Sequence, residues 1–392
     1  MKKTVRDIDI KNKKVLMRVD FNVPLDEKGN ITDDTRIKKA LPTIEYILNA
    51  PAKLILMSHL GRPKGAVNPK MSLAPCAKRL SNLLGKDVKM MKDSIGADVE
   101  NVVGNMNDGD VILLENLRFH KEETKNDAEF AKKLSSLGDI FVNDAFGTCH
   151  RAHASTEGVT KFLPSVMGFL VEKEVNYFNK LLNDPEGPFV LILGGAKVTD
   201  KIAVIENMLE KIDYLLIGGA MAYTFLKSRL KGIGNSRIEE DKISVAEDIF
   251  NKAREKNVSI VLPEDHVIAK TITQNARTRV VREHIPDGWL GLDIGPLTIK
   301  KFEKILKDAK TILWNGPLGF FEMKPFRKGT ACIAKFISKL NATTVIGGGD
   351  TAAAVNALGL SKKMSHISTG GGASLEYLEG KELPGIAALQ DL

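Results

Sequence analysis

Short apolar runs recur along the chain, each closed by glycine or polar residues and followed by a segment of helical period. In the first half they occupy residues 15–21, 54–60, 111–117 and 140–146. In the second half they occupy 189–193, 214–217, 258–262, 311–314, 343–346 and 366–368. Runs that are apolar on both faces suit strands buried in a parallel sheet, with the intervening helices as crossovers. Alternation of this kind over the whole length predicts an α/β fold of two doubly wound parallel-sheet domains. The break falls near 162–188. There Pro164 opens a stretch of helical spacing running to about residue 182, and Asp184-Pro185-Glu186-Gly187-Pro188 stops it. The expected plan is a first domain over 1–164, a connecting helix and hinge over 165–183, and a second domain over 184–377.

Composition narrows the class. Of 392 residues, 43% are hydrophobic and 27% charged, enough apolar material for two cores. The net charge of +8 is scattered rather than gathered into a tail. A nucleic-acid-binding protein would need a basic stripe or stacking aromatics, and aromatics make up only 6%. The three cysteines, Cys76, Cys149 and Cys332, are odd in number and widely spaced, which excludes a disulfide framework and suits a reducing compartment. The N-terminal charges have no apolar segment behind them, and no run approaches the ~20 residues of a membrane span. A cytoplasmic protein is expected, with no nucleic-acid or membrane partner.

In an open parallel sheet ligands bind beyond the carboxyl ends of the strands, so the residues after each run carry the information. In the first half these are Asp20 and Asn22, His59 and Arg62, Arg118, and the segment from Asn143 to His153 that contains Arg151; Arg36 follows the turn Asp33-Asp34-Thr35. Guanidinium groups converging on one small volume suit bidentate binding of phosphate or carboxylate. No cysteine or carboxylate completes a zinc-ligand spacing around His59, His150 and His153.

Glycines dominate the second half: Gly194-Gly195, Gly218-Gly219, Asn315-Gly316-Pro317, Gly347-Gly348-Gly349 and Gly370-Gly371-Gly372. Glycine at a strand-to-helix turn lets the backbone approach an anion, and repetition at several strand ends predicts a nucleotide floor. A helix beginning by Val198 would place Lys197 and Lys201 on one side of its first turn, near a phosphate chain. Asp350 and Thr351 are N-cap residue types, and Asp350 is the candidate Mg²⁺ ligand. The Walker pattern does not occur. Gly347-x-Gly349-x-x-Ala352 matches a dinucleotide turn, but a dehydrogenase would leave the arginine set without a purpose.

In this order the motifs resemble phosphoglycerate kinase. The resemblance is carried by Arg18-Val19-Asp20-Phe21-Asn22-Val23-Pro24, Ser58-His59-Leu60-Gly61-Arg62-Pro63, Glu115-Asn116-Leu117-Arg118-Phe119 and Asn143-Asp144-Ala145-Phe146-Gly147. It continues through Arg151-Ala152-His153-Ala154-Ser155, residues 194–201, Trp314-Asn315-Gly316-Pro317, residues 347–351 and 368–376.

The resemblance implies a two-lobed fold in which residues 378–392 return to the first lobe, with no appended domain. It implies a 3-phosphoglycerate site at Asp20, Asn22, Arg36, His59, Arg62, Arg118 and Arg151. The implied nucleotide site falls on Gly195, Lys201, Gly219, Gly291, Asn315, Pro317, Glu322, Gly348, Gly349, Asp350 and Thr351. Arg36, Lys197, Gly371 and Gly372 would act on the moving phosphoryl group, with Asp350 on Mg²⁺. The implied protein is a monomer that transfers the acyl phosphate of 1,3-bisphosphoglycerate to MgADP, closing about the connector. Cys149 stands where alanine is expected, and beside the substrate loop it would make the site sensitive to oxidation.

Overall fold

The computed structural model describes residues 1–392. In the first unit, six parallel strands form one sheet: β1 Lys14–Arg18, β2 Lys53–Met57, β3 Lys89–Met90, β4 Val111–Leu113, β5 Ile140–Asn143 and β6 Ser165–Met167, in the order β3-β4-β2-β1-β5-β6. Val15, Met17, Leu54, Leu56, Val111, Leu113, Ile140 and Val142 belong to its core. The helix Thr35–Leu48 covers this core by burying Ile37, Ala40, Ile44 and Ile47, which recur three or four residues apart. The strand order reverses between β1 and β5, so the segments after those strands flank the crevice where doubly wound sheets bind ligands.

The second unit repeats the plan with β7 Phe189–Leu193, β8 Tyr214–Ile217, β9 Ser259–Val261, β13 Thr311–Asn315, β14 Thr343–Gly347 and β15 His366–Ile367, in the order β15-β14-β13-β7-β8-β9. Its reversal lies between β13 and β7. A small antiparallel sheet, β11-β10-β12, is built from β10 Asp265–Ala269, β11 Arg279–Arg282 and β12 Leu290–Ile294. The units comprise Met1–Asn176 with Glu382–Leu392, and Tyr177–Lys381, so the division falls inside the helix Phe169–Asn183. No helix is long and apolar enough to cross a membrane.

The stretch expected to be helical from residue 165 begins as a strand. Ser165–Met167 pairs in register with Phe141–Asn143, and the helix starts only at Phe169. A continuous apolar run cannot distinguish a buried strand from a buried helix by period alone. The change of element comes at Gly168, where any Cβ would lie 2.3 Å from Asp144 Oδ1. That carboxylate accepts the N–H groups of Leu170 (2.8 Å) and Val171 (3.4 Å), while Thr43 Oγ1 accepts that of Phe169 (3.0 Å). The helix is therefore capped from outside its own sequence.

Candidate anion and nucleotide sites

At the carboxyl end of the first sheet, Arg18 closes β1 and is fully buried. Its Nε donates to Ser155 Oγ (2.9 Å), another of its N–H groups reaches the Val19 carbonyl, and Nη2 meets His59 Nδ1 (3.1 Å). Arginine only donates, so His59 Nδ1 is the acceptor and Nε2 carries the proton. Burial, then the charges of Arg18, Arg118, Arg36 and Arg151, hold the His59 pKa well below the ordinary imidazole value. His59 is therefore neutral.

The turns after the strands are tied by side chains. Asn22 Oδ1 accepts the Gly61 N–H (2.8 Å), and Asn116 Nδ2 donates to the carbonyls of Leu60 (2.7 Å) and Met71 (2.8 Å). Asn116 Oδ1 also caps the short turn Leu117–Phe119 by accepting the Arg118 N–H (3.1 Å). Arg118 then donates from Nη1 to the Gly61 carbonyl (2.9 Å), and its buried Nε has no partner. Burial and the neighbouring Arg18 and Arg151 lower its pKa to about 10.

Arg36 stands in the first turn of Thr35–Leu48 and pairs with Asp20. Arg62, Arg118, Arg151 and His153, with Lys64 and His120, line a cavity of about 420 Å³. Burial, then Arg118, Arg18 and Arg151, push His153 down to about 4. The nearby carboxylates are already engaged: Asp20 by Arg36, and Glu123 by the Ser155 amide (3.0 Å) and hydroxyl (2.6 Å). The surplus of positive charge calls for an anion from outside.

Arg18 and His153 belong to this cluster although neither was among the expected site residues. Arg18 was hidden inside an apolar run, and only its partner at residue 59 betrays it. Cys149 corrects an expectation. It is fully buried and burial raises its thiol to about 12, so it is neither exposed nor a thiolate at neutral pH. Gly385, in the returning C-terminal segment, donates its N–H to the Cys149 carbonyl (2.9 Å) and accepts from Asn143 Nδ2 (2.8 Å).

In the second unit the switch point is closed by backbone. Gly194 N–H donates to the Asn315 carbonyl (3.0 Å) and Gly195 N–H to that of Pro317 (2.9 Å). A Cβ on Gly194 would lie 2.2 Å from the Pro317 oxygen, so this glycine serves packing. Gly219 and Gly291 are crowded too, the latter by the Tyr223 ring. Gly195 (φ 94°), Gly349 and Gly371 (φ 53°) instead face open space. The amine of Lys201 meets Asn315 Oδ1, while Asn315 Nδ2, next to Gly347 and Gly348, is buried without a partner. Burial lowers the Lys201 pKa, opposed by Asp200, Asp350 and Glu379.

Other expectations change here. The helix after β7 is Ile202–Met208, so Lys197 lies in an exposed loop and does not share a helix turn with Lys201. The N–H groups of Val198 and Thr199 are taken by the Glu239 carboxylate, which holds this segment out of a helix. Thr351 is not an N-cap: the helix Gly349–Ala357 is capped by Gly348, and Thr351 Oγ1 accepts the Gly316 N–H (2.6 Å). Asp350 and Glu322 are exposed, Asp350 in the first turn of that helix. No group of three or more His, Cys, Asp or Glu side chains could hold a metal. A single exposed carboxylate beside Gly349, where a Cβ would meet nothing within 4 Å, fits Mg²⁺ that arrives on nucleotide phosphates and keeps its waters.

Comparisons with known proteins agree with one another. The family model described as phosphoglycerate kinase matches residues 5–381. The chain is 55% identical to the phosphoglycerate kinase of Pseudothermotoga lettingae, over 100% of this chain and 99% of that one. It is 56% identical to that of Borrelia hermsii, over 99% of each. Among solved structures, phosphoglycerate kinase from Coxiella burnetii superposes with a TM-score of 0.90 at 40% identity, covering 99% of this chain and 98% of that one. The enzyme from Pyrococcus horikoshii gives 0.86 at 33% identity, covering 98% of each.

Proposed function

The chain belongs to the phosphoglycerate kinase family, and from that premise we propose how its residues carry out the family's reaction. It is an enzyme that reversibly transfers the acyl phosphate of 1,3-bisphosphoglycerate to ADP, giving ATP and 3-phosphoglycerate. The observation that carries the residue assignment is the cationic cluster of Arg18, Arg118 and Arg151 around the neutral His153, whose neighbouring carboxylates are already engaged.

The three-carbon acid, carrying both phosphate and carboxylate, binds through Arg62, Arg118 and Arg151 around the cavity, with Asp20, Asn22, Arg36 and His59 completing the set that holds it. In the ATP-consuming direction the nucleophile is a carboxylate, ionised far below neutral pH. No proton has to be removed, and a neutral His59 that donates from Nε2 suits a binding role better than a base. Catalysis then rests on alignment and on charge stabilisation.

Lys201, the free Asn315 Nδ2 and the backbone of Gly348 and Gly349 hold the nucleotide phosphates, and Gly195, its own N–H already taken by Pro317, leaves them room by lacking a side chain; Gly219, Gly291, Pro317 and Glu322 border the nucleoside. Thr351 contributes by fixing the Gly316 turn. Arg36 and Lys197 stabilise the transferring oxygens from opposite sides, with backbone donors at Gly371 and Gly372. Asp350 would hold Mg²⁺, which neutralises charge on the nucleotide phosphates when bound. In-line transfer requires the two ligand sets to come together, and the helix Phe169–Asn183 is the proposed place of bending.

Free cysteines support a reducing, cytoplasmic setting, and single chains acting on small molecules satisfy the scheme. The test is a coupled assay with 3-phosphoglycerate, ATP and Mg²⁺. ADP formation that requires both the acid and Mg²⁺ is expected. ADP release independent of 3-phosphoglycerate would overturn the reading.

A further inference from the structure

Between the glycine turn after β7 and the helix Ile202–Met208 runs an irregular loop that carries Lys197 and ends at Lys201. Irregular surface backbone is usually left to water, but this loop is tied down. The N–H groups of Val198 and Thr199 donate to the carboxylate of Glu239, and the Thr199 hydroxyl donates to its other oxygen (2.8 Å). The Val198 side chain is fully buried, and its carbonyl accepts the Lys201 N–H (2.8 Å). Glu239 is itself mounted: its N–H donates to Thr224 Oγ1 (3.2 Å), on the helix Met221–Ser228. The first residue of that helix, Met221, donates its N–H to the Gly195 carbonyl (3.1 Å). Start and middle of the loop are thus fixed to one helix, the second attachment running through a single carboxylate. Burial raises the Glu239 pKa, but the Thr199 and Val198 donors outweigh it, so the group stays ionised.

The geometry points to Glu239 as a positioning residue for phosphoryl transfer. It pins the backbone between the two lysines, so that Lys197 is held at the moving phosphoryl group. Glu239 itself touches no substrate. The inference rests on the assignment of these lysines to phosphate oxygens. Two amide donors on one ionised carboxylate form charge-assisted hydrogen bonds, stronger than the water contacts a free loop would make. A displacement of about 1 Å at a reacting group costs up to ~10²-fold in rate, so a partly released loop should lose turnover well before it loses folding.

The experiment is a double-mutant cycle. Glu239→Gln keeps the volume and one oxygen for the two amides, but removes the charge that strengthens those bonds and puts an NH₂ where the Thr199 hydroxyl donates. A fall in kcat of about 10-fold is expected, within the range that misplacement allows, with KM for 3-phosphoglycerate and the melting temperature nearly unchanged. In a Lys197→Ala background the same substitution should cost less than about twofold, because the group it positions is gone. Thr199→Val removes only the hydroxyl tie and should give a smaller loss that vanishes in the same background. Wild-type kcat in Glu239→Gln, or an undiminished loss in the Lys197→Ala background, overturns the latch. Wild-type turnover in Lys197→Ala itself overturns the lysine assignment, and the latch with it. An impaired Lys197→Ala beside an unimpaired Glu239→Gln removes the latch alone.

Discussion

Arg36 is half-exposed, stands in the first turn of its helix and shares its charge with Asp20, so it can leave that partner for a ligand without unfolding anything. Arg36→Ala should lower turnover roughly 10²-fold, the value of one preorganised charge, while MgADP affinity measured by calorimetry stays unchanged; normal turnover would remove it from the transfer step. That Arg62, Arg118 and Arg151 gather around one cavity was legible in the sequence because each stands in a segment that follows an apolar run. Arg18 was not, since a buried arginine inside a strand looks like a break in the pattern until Ser155 and His59 are seen around it. Cys149 misled for the converse reason: nearness in sequence to the substrate loop says nothing about depth, and the residue is fully buried.

At the level of elements, β7 and β8 run over the residues that the apolar pattern indicates, because their runs are bounded by proline or glycine. In the first half the runs reach beyond the strands. Phe21, Leu60, Leu117 and Phe146 are buried in the turns that follow, so hydrophobicity outlasts the ladder. The small sheet β10–β12 went unread because β11 is largely exposed and offers no apolar run.

The helix Phe169–Asn183 depends on Asp144, whose pKa burial raises to about 7 against the donors of Thr43, Leu170 and Val171. Unfolded, the group titrates near 3.9. Between those values the folded state binds more protons, so stability falls as pH rises. Asp144→Asn cannot titrate, and its stability relative to wild type should improve from pH 5 to pH 8 in urea unfolding. A difference that does not change with pH would show that Asp144 is ionised throughout.

Over the whole molecule both units carry buried neutral histidines, His59 and His153 in the first and His266 in the second, and His153 and His266 are pushed to about 4 by burial above all. An unfolded histidine titrates near 6.5. Between 4 and 6.5 the unfolded chain therefore binds more protons, and acidification weakens both units in the same window. Asp144 and Asp293, each raised to about 7 by burial, run the other way, so variants isolate the effect better than the wild-type curve. Chemical denaturation of His266→Gln should show less stability lost between pH 6.5 and 4 than wild type; an equal loss would mean that His266 is already charged when folded.

The division of labour between the two units is tested most directly by hydrogen exchange of the intact enzyme with each ligand alone. With 3-phosphoglycerate, protection should appear in the peptides around residues 59–65, 116–124 and 150–154, leaving 194–201 and 347–351 unchanged. With MgADP the pattern should reverse. Protection of the glycine turns by 3-phosphoglycerate, or of the arginine segments by MgADP, would contradict the assignment of acid to one unit and nucleotide to the other.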